Sequence, residues 1–170
     1  MGDNIVLWIH IVAAAAFVGP QIFLSVVMPA VNLLDPPARV KVVRLLTSRF
    51  GWLGWGSVAV VVITGIENLR QTAALGVAIF DPDVRYMWVF IAKMALLALA
   101  LVAVGLHSFV VGPRQIQLME AAFVAGSNPG GLKAARGATV IFSALGLLTS
   151  LGILFLGVLL HDHSFSALPV

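Results

Sequence analysis

The chain has 170 residues, 61% of them hydrophobic and 10% charged, with a formal net charge of +3 at pH 7 and a mean hydropathy of +1.06. No soluble domain of that size hides so much apolar surface, so the composition excludes a soluble globular protein and points to an integral membrane protein. There is no cysteine, which also excludes disulfides, thiolate metal sites and thiol nucleophiles.

Four apolar runs are long enough to cross a hydrocarbon core of roughly 30 Å as helices, at about 1.5 Å of rise per residue. The first spans about Ile5 to Val31. It opens on MGDN, without the early Lys or Arg of a cleaved signal peptide, and stays apolar too long for one, so it is expected to remain as a helix. Gly19-Pro20 is expected to break its hydrogen-bond ladder near mid-membrane, and Pro29 to help end it. Between Val40 and Phe50, apolar Val42, Val43, Leu45 and Leu46 interleave with Lys41, Arg44 and Arg49. That pattern suits a helix lying at the headgroups, or equally a solvated basic loop. The second run spans about Trp52 to Leu69, the third Tyr86 to Val111 and the fourth Thr139 to Leu160. The expected fold class is all-α, a four-transmembrane-helix bundle forming a single domain over residues 1–170, with no internal repeat.

Orientation follows from the loops. Arg39, Lys41, Arg44 and Arg49 stand against Asp35 after the first run, and Arg114, Lys133 and Arg136 against Glu120 after the third. The remaining loop has Arg70 and Arg85 against Glu67, Asp81 and Asp83. The positive-inside rule puts the two basic loops in the cytoplasm and both termini on the periplasmic, outer side of a bacterial-type inner membrane. Trp8, Tyr86 and Trp88 then mark outer helix ends, and Trp52 and Trp55 an inner one. Membrane orientation explains the basic residues without a nucleic-acid partner.

The residues able to carry chemistry are few. His10 sits on the order of 8 Å below the outer interface by helical rise, a depth at which an ionisable side chain is usually turned inward and functional. A neutral imidazole bonded to a neighbouring helix is the plainer alternative. The run Ala13 to Ala16, one turn further in, permits close helix approach or contact with a flat ligand. Lys93 lies at a similar depth in the third run; it either snorkels outward or faces the interior, where it would hold a carboxylate, a porphyrin propionate or Glu67. His161 and His163 flank Asp162 beyond the fourth run, a His-x-His pair suited to Cu(II) or Zn(II) or simply polar at a helix exit. His107 lies near the inner end of the third run, roughly 20 Å from Lys93 by helical rise, too far to share one small site with His10. Met87 and Met94 adjoin Lys93, as soft ligands or as apolar filling. No phosphate loop, zinc-protease pattern or Ser-His-acid set occurs, so hydrolase and nucleotide chemistry is not expected.

These residues carry a resemblance. LWIHIVAAAAFVGPQIFLSVVMPAV is similar to the opening helix of the CopD-type copper resistance membrane proteins, with His10, Phe17 and Gly19-Pro20 at the matching positions. RFGWLGWGSVAVVVITGIENL, with its Thr64-Gly65 exit, resembles that family's second helix, and KMALLALALVAVGLHSFVVGPR its third, with a lysine early and a histidine late. The likeness covers roughly Leu7 to Arg114. An early helix-one histidine with a helix-three lysine also resembles the HemJ-type protoporphyrinogen oxidases, although the Pro20 position and the Lys93–His107 spacing depart from that pattern. The first resemblance implies copper handling at the outer face with His10 as a metal ligand; His161 and His163, beyond the stretch it covers, are the further metal-ligand candidates for that reading. The second implies a b-type haem with His10 axial and Lys93 as the second essential group; His107 is a separate cofactor-binding candidate, for a second cofactor near the cytoplasmic face or a haem edge, or else it snorkels. A third reading is an accessory subunit of a larger membrane complex. Whether the chain is an enzyme stays open, and its expected partners are the lipid bilayer and a periplasmic metal or electron partner.

Overall fold

The computed structural model describes residues 2–77, 79–126, 130–166 and 168–169, with the side chains of residues 2, 3 and 163 set aside. Among the described residues six α-helices follow in order: α1 (Gly2–Val31), α2 (Pro36–Ala74), α3 (Arg85–Leu106), α4 (Gly112–Ala125), α5 (Leu132–His161) and the single turn α6 (His163–Ser166). A π-helical segment, His107–Val111, joins α3 to α4 without a break. Four stretches are long and apolar enough to span a bilayer: Asn4–Val31, Pro36–Ala74, Arg85–Ala125 and Leu132–His161. The protein is therefore a multi-pass, all-helical membrane bundle.

Helix α1 packs along α2, and α3 along α5, giving two antiparallel hairpins that meet where α1 touches α5 and α2 touches α4. The apolar surface points outward. In the most apolar window of α2 only 6% of residues are buried inside the molecule, and in α5 only 22%, as a helix bundle immersed in hydrocarbon requires. Large side chains such as Val26, Leu148 and Phe155 are exposed to the lipid, while Ala13, Ala100, Ala103, Thr149 and Ser150 fill the interior. Small residues let helices approach closely where lipid removes the hydrophobic drive for association. A Cβ added at Gly146 would stand 3.3 Å from Val104 of α3 and 3.6 Å from Gln21 of α1, so α5 seats both neighbours on its bare backbone. Buried hydroxyls are satisfied along their own helices: Ser57 donates to Leu53 at 2.7 Å, Ser150 to Gly146 at 2.7 Å and Thr149 to Leu145 at 2.8 Å.

The helices overrun the apolar runs. With 39 residues, α2 has about 58 Å of rise, nearly twice the hydrocarbon thickness. The segment between Val40 and Phe50 is neither an in-plane helix nor a loop; it continues α2, and there Arg44 pairs with Glu120 of α4. The third run likewise continues through the π-helical segment into α4, which stops at left-handed Gly126 (φ 62°). Helix α1 runs unbroken through Pro20 and Pro29.

At the end where α1 begins and α5 finishes, Ile79, Tyr86 and Leu160 form a small buried core. Tyr86, the second residue of α3, is 5% exposed, so at this helix end its ring packs into the small core. The C-terminal segment folds over this end. The backbone N–H of Arg85 donates to Leu168 at 3.1 Å and its Nε to Pro169 at 3.2 Å, and its guanidinium lies 5.3 Å from the centroid of the Phe165 ring.

Candidate functional site

One layer of the bundle draws a residue from each spanning helix. On α1, the His10 ring lies over Gly65 of α2, where an added Cβ would come within 3.3 Å of its Cε1. His10 Nδ1 is 2.8 Å from Thr64 Oγ1, and Val61 supplies the ring's backbone partner. Thr64 has one hydroxyl proton, and it is already directed at the Val60 carbonyl at 2.6 Å. With that proton on Val60, Thr64 accepts from His10, and in this tautomer the proton of a neutral imidazole sits on Nδ1 while Nε2 keeps its lone pair. Fixing one ring nitrogen through a hydrogen bond is how proteins set the tautomer and orientation of a ligating histidine.

Lys93 of α3 faces the same layer. Its Nζ lies 3.5 Å from where a Cβ of Gly157 on α5 would be, and the ammonium is within electrostatic reach of the His10 imidazole. The side chain is half-buried. It makes no hydrogen bond or ion pair among the described residues, and Glu67 does not supply one. That carboxylate instead meets Arg70 and Gln71 of its own helix, each at 3.4 Å. The layer thus combines a neutral donor nitrogen with an uncompensated cation in a low-dielectric setting, an arrangement suited to a ligand carrying negative charge.

Gly157 was not singled out in the sequence. Its signal is the small-residue face of α5, on which Gly146, Ser150 and Gly157 recur at helical spacing. Ser150 also accepts from Gln21 Nε2 at 3.3 Å, linking α5 to α1 near mid-bundle. Beneath the layer, Ala14, Phe17, Val61, Ala100, Ser150 and Ile153 border a cavity of about 40 Å³.

The other predicted residues fall elsewhere. His161 ends α5, exposed, about 6 Å of rise beyond Gly157. Asp162 starts the following turn, its Oδ1 accepting from the Ser164 amide at 3.0 Å and hydroxyl at 2.5 Å, a helix-capping arrangement. The His163 side chain lies outside the described residues. Among the described residues no three or more His, Cys, Asp or Glu side chains gather as a metal-ligand set. His107 opens the π-helical segment, its Nδ1 3.4 Å from Ser143 Oγ. It lies about 21 Å along the helix from Lys93. The structure thus brings His10 and Lys93 together and leaves His107 about 21 Å away along the helix.

The fold and this layer define a class, a four-span membrane bundle with an intramembrane histidine–lysine site. No family model, no curated protein and no solved structure matches the chain.

Proposed function

We propose that the chain is a CopD-type membrane protein holding a metal-containing redox group in the layer of His10, Thr64, Lys93 and Gly157, and that a b-type haem is the group these residues suit best. The observation that carries the reading is the pairing, at one level, of a free imidazole nitrogen with an unpaired ammonium. A b-haem asks for an axial nitrogen at iron and a cation for a propionate, and helix bundles build such sites from facing side chains. His10 would hold the iron through Nε2, Lys93 would hold a propionate, and Thr64 keeps the imidazole in the ligating tautomer. When bound, the group supplies reversible one-electron transfer. The donor chemistry fits, and a ring of porphyrin size needs the two hairpins to part around it, because the cavity beneath the layer has only about 40 Å³. The resemblance of residues 7–114 to the CopD-type proteins supports placement in a bacterial inner membrane, with this layer toward the periplasm.

Copper handling is the second reading. It is favoured by His161, a further imidazole at the same end of the bundle. A bare copper cation suits the layer less well, since Lys93 repels it and soft or multiple imidazole ligands are what copper prefers.

The test is an absorption spectrum of the detergent-purified protein, oxidised and then dithionite-reduced, with metal content determined on the same sample. A Soret band with sharp reduced bands, abolished in His10→Ala, is expected. Bound copper with a featureless visible spectrum would transfer the assignment to copper handling. Neither metal, with a stoichiometric protein partner co-eluting, would overturn both and leave an accessory subunit.

A further inference from the structure

At the end of the bundle opposite His10 lies a larger pocket, of about 240 Å³, between the first turns of α2 and α5 and the end of α4. Its walls are mixed in a specific way. Val40, Met119, Phe123 and Leu132 supply apolar surface, and Arg39 and Arg136 supply charge. Arg39 uses Nη2 to donate to the Asn32 and Leu34 carbonyls, at 2.6 and 2.8 Å, tying down the chain that leaves α1. Its Nε is buried and has no acceptor. A buried donor without a partner costs about 1–3 kcal/mol, so such groups commonly mark a bound water or ion. Arg136 makes no ion pair among the described residues. Helix α5 also begins here, with no side-chain cap and no acid in its first turn, so its amide ends add positive potential.

The surroundings reinforce the sign. Arg39, Lys41, Arg44, Arg49, Arg114, Lys133 and Arg136 occupy this end against Asp35 and Glu120 alone, and Glu120 is engaged by Arg44. The level fits as well. From Gly157 to Arg136 is about 32 Å of helical rise; with the His10 layer on the order of 8 Å inside its own interface and a hydrocarbon core of roughly 30 Å, the pocket lies about 10 Å past the opposite hydrocarbon boundary, on the outer side of the headgroup region.

The geometry points to a phosphate-binding pocket between Arg39 and Arg136, filled by the headgroup of an anionic phospholipid or by a free phosphate. Basic pockets between helices at the headgroup level bind phosphate headgroups in this manner, and the apolar wall beside the arginines suits a lipid's glycerol and first acyl carbons. The inference does not depend on what the His10 layer binds.

Native mass spectrometry of the full chain in mild detergent tests it, with phosphatidylglycerol, phosphatidylcholine and inorganic phosphate as separate probes. Retention of phosphatidylglycerol over phosphatidylcholine is expected, falling about fivefold in affinity for each arginine removed, at roughly 1 kcal/mol per charge. Arg136→Gln should show the loss, Arg136→Lys should keep most of the binding, and Arg114→Gln, outside the pocket, should leave it unchanged. Because Arg39 also holds the α1 exit, Arg136→Gln decides the matter if Arg39→Gln fails to fold. Retention of phosphatidylglycerol supports a lipid source. Saturable inorganic phosphate binding, lost in Arg136→Gln without lipid preference, supports a soluble one. Equal retention of both lipids and no phosphate binding, or binding indifferent to Arg136→Gln, would overturn the proposal.

Discussion

His10 owes its chemistry to a single hydroxyl. Thr64 spends its only proton on Val60 and accepts from the imidazole, which fixes where the ring's own proton resides. In Thr64→Val the Nδ1–H loses that acceptor, at a cost of about 1–3 kcal/mol for a donor left unsatisfied away from water. The expected result is a lower Tm in detergent together with a weakened spectral signature of any ligated metal, and Thr64→Ser should restore both. A Val variant as stable as the wild type would mean that the Val61 carbonyl alone sets the ring. Depth along a helix is readable by counting residues, so His10 and Lys93 stand out in the sequence as neighbours in level. That Lys93 turns toward Gly157, and Glu67 toward Arg70, is not readable, because each side chain has several partners in reach and packing chooses among them.

Helix α5 shows how an element is held when hydrophobicity cannot do it. Its contacts with α1 and α3 run over Gly146 and Ser150, and the interhelical bond from Gln21 is of a kind worth about 0.6 kcal/mol in a membrane. Close approach of backbones must supply the rest. Gly146→Val should therefore overpack the junction with Val104 and Gln21 and destabilise the bundle by about 1–3 kcal/mol. Gly137→Val, where an added side chain meets nothing within 4 Å, should be close to neutral; thermal unfolding of the two variants in one detergent makes the comparison. Helix existence was legible from the apolar runs, whereas helix ends were not. Val40–Phe50 has the same amphipathic periodicity whether it lies in the headgroups or extends α2, and only the contact between Arg44 and Glu120 fixes which.

For the whole molecule, the end bearing His10 and Lys93 is covered by the chain's own C-terminal segment, pinned at Arg85. Arg85→Ala removes a hydrogen bond to Pro169 and the cation–π contact with Phe165, together about 1 kcal/mol at a surface site. The amides of Phe165, Ser166 and Leu168 should then exchange with solvent about fivefold faster while those of the bundle interior stay as they were. Unchanged exchange would show that the buried core of Ile79, Tyr86 and Leu160 holds the segment without Arg85. Tyr86 stands at a helix end, as aromatic placement predicts, and the packing adds that its ring is buried there with Ile79 and Leu160.

The sequence by itself determined that this is a four-span, all-helical membrane protein, because the free energy of placing apolar residues in hydrocarbon depends on composition and length, both of which are local. It also determined the spacing along a helix between ionisable groups such as Lys93 and His107, because helical rise is constant. The tertiary structure alone decided which groups meet. The hydrogen bond of His10 to Thr64, the turn of Lys93 over Gly157 and the basic pocket between Arg39 and Arg136 all arise where separate helices converge. Such convergence depends on rotation and register between helices, which small interior residues permit but do not spell out along the chain.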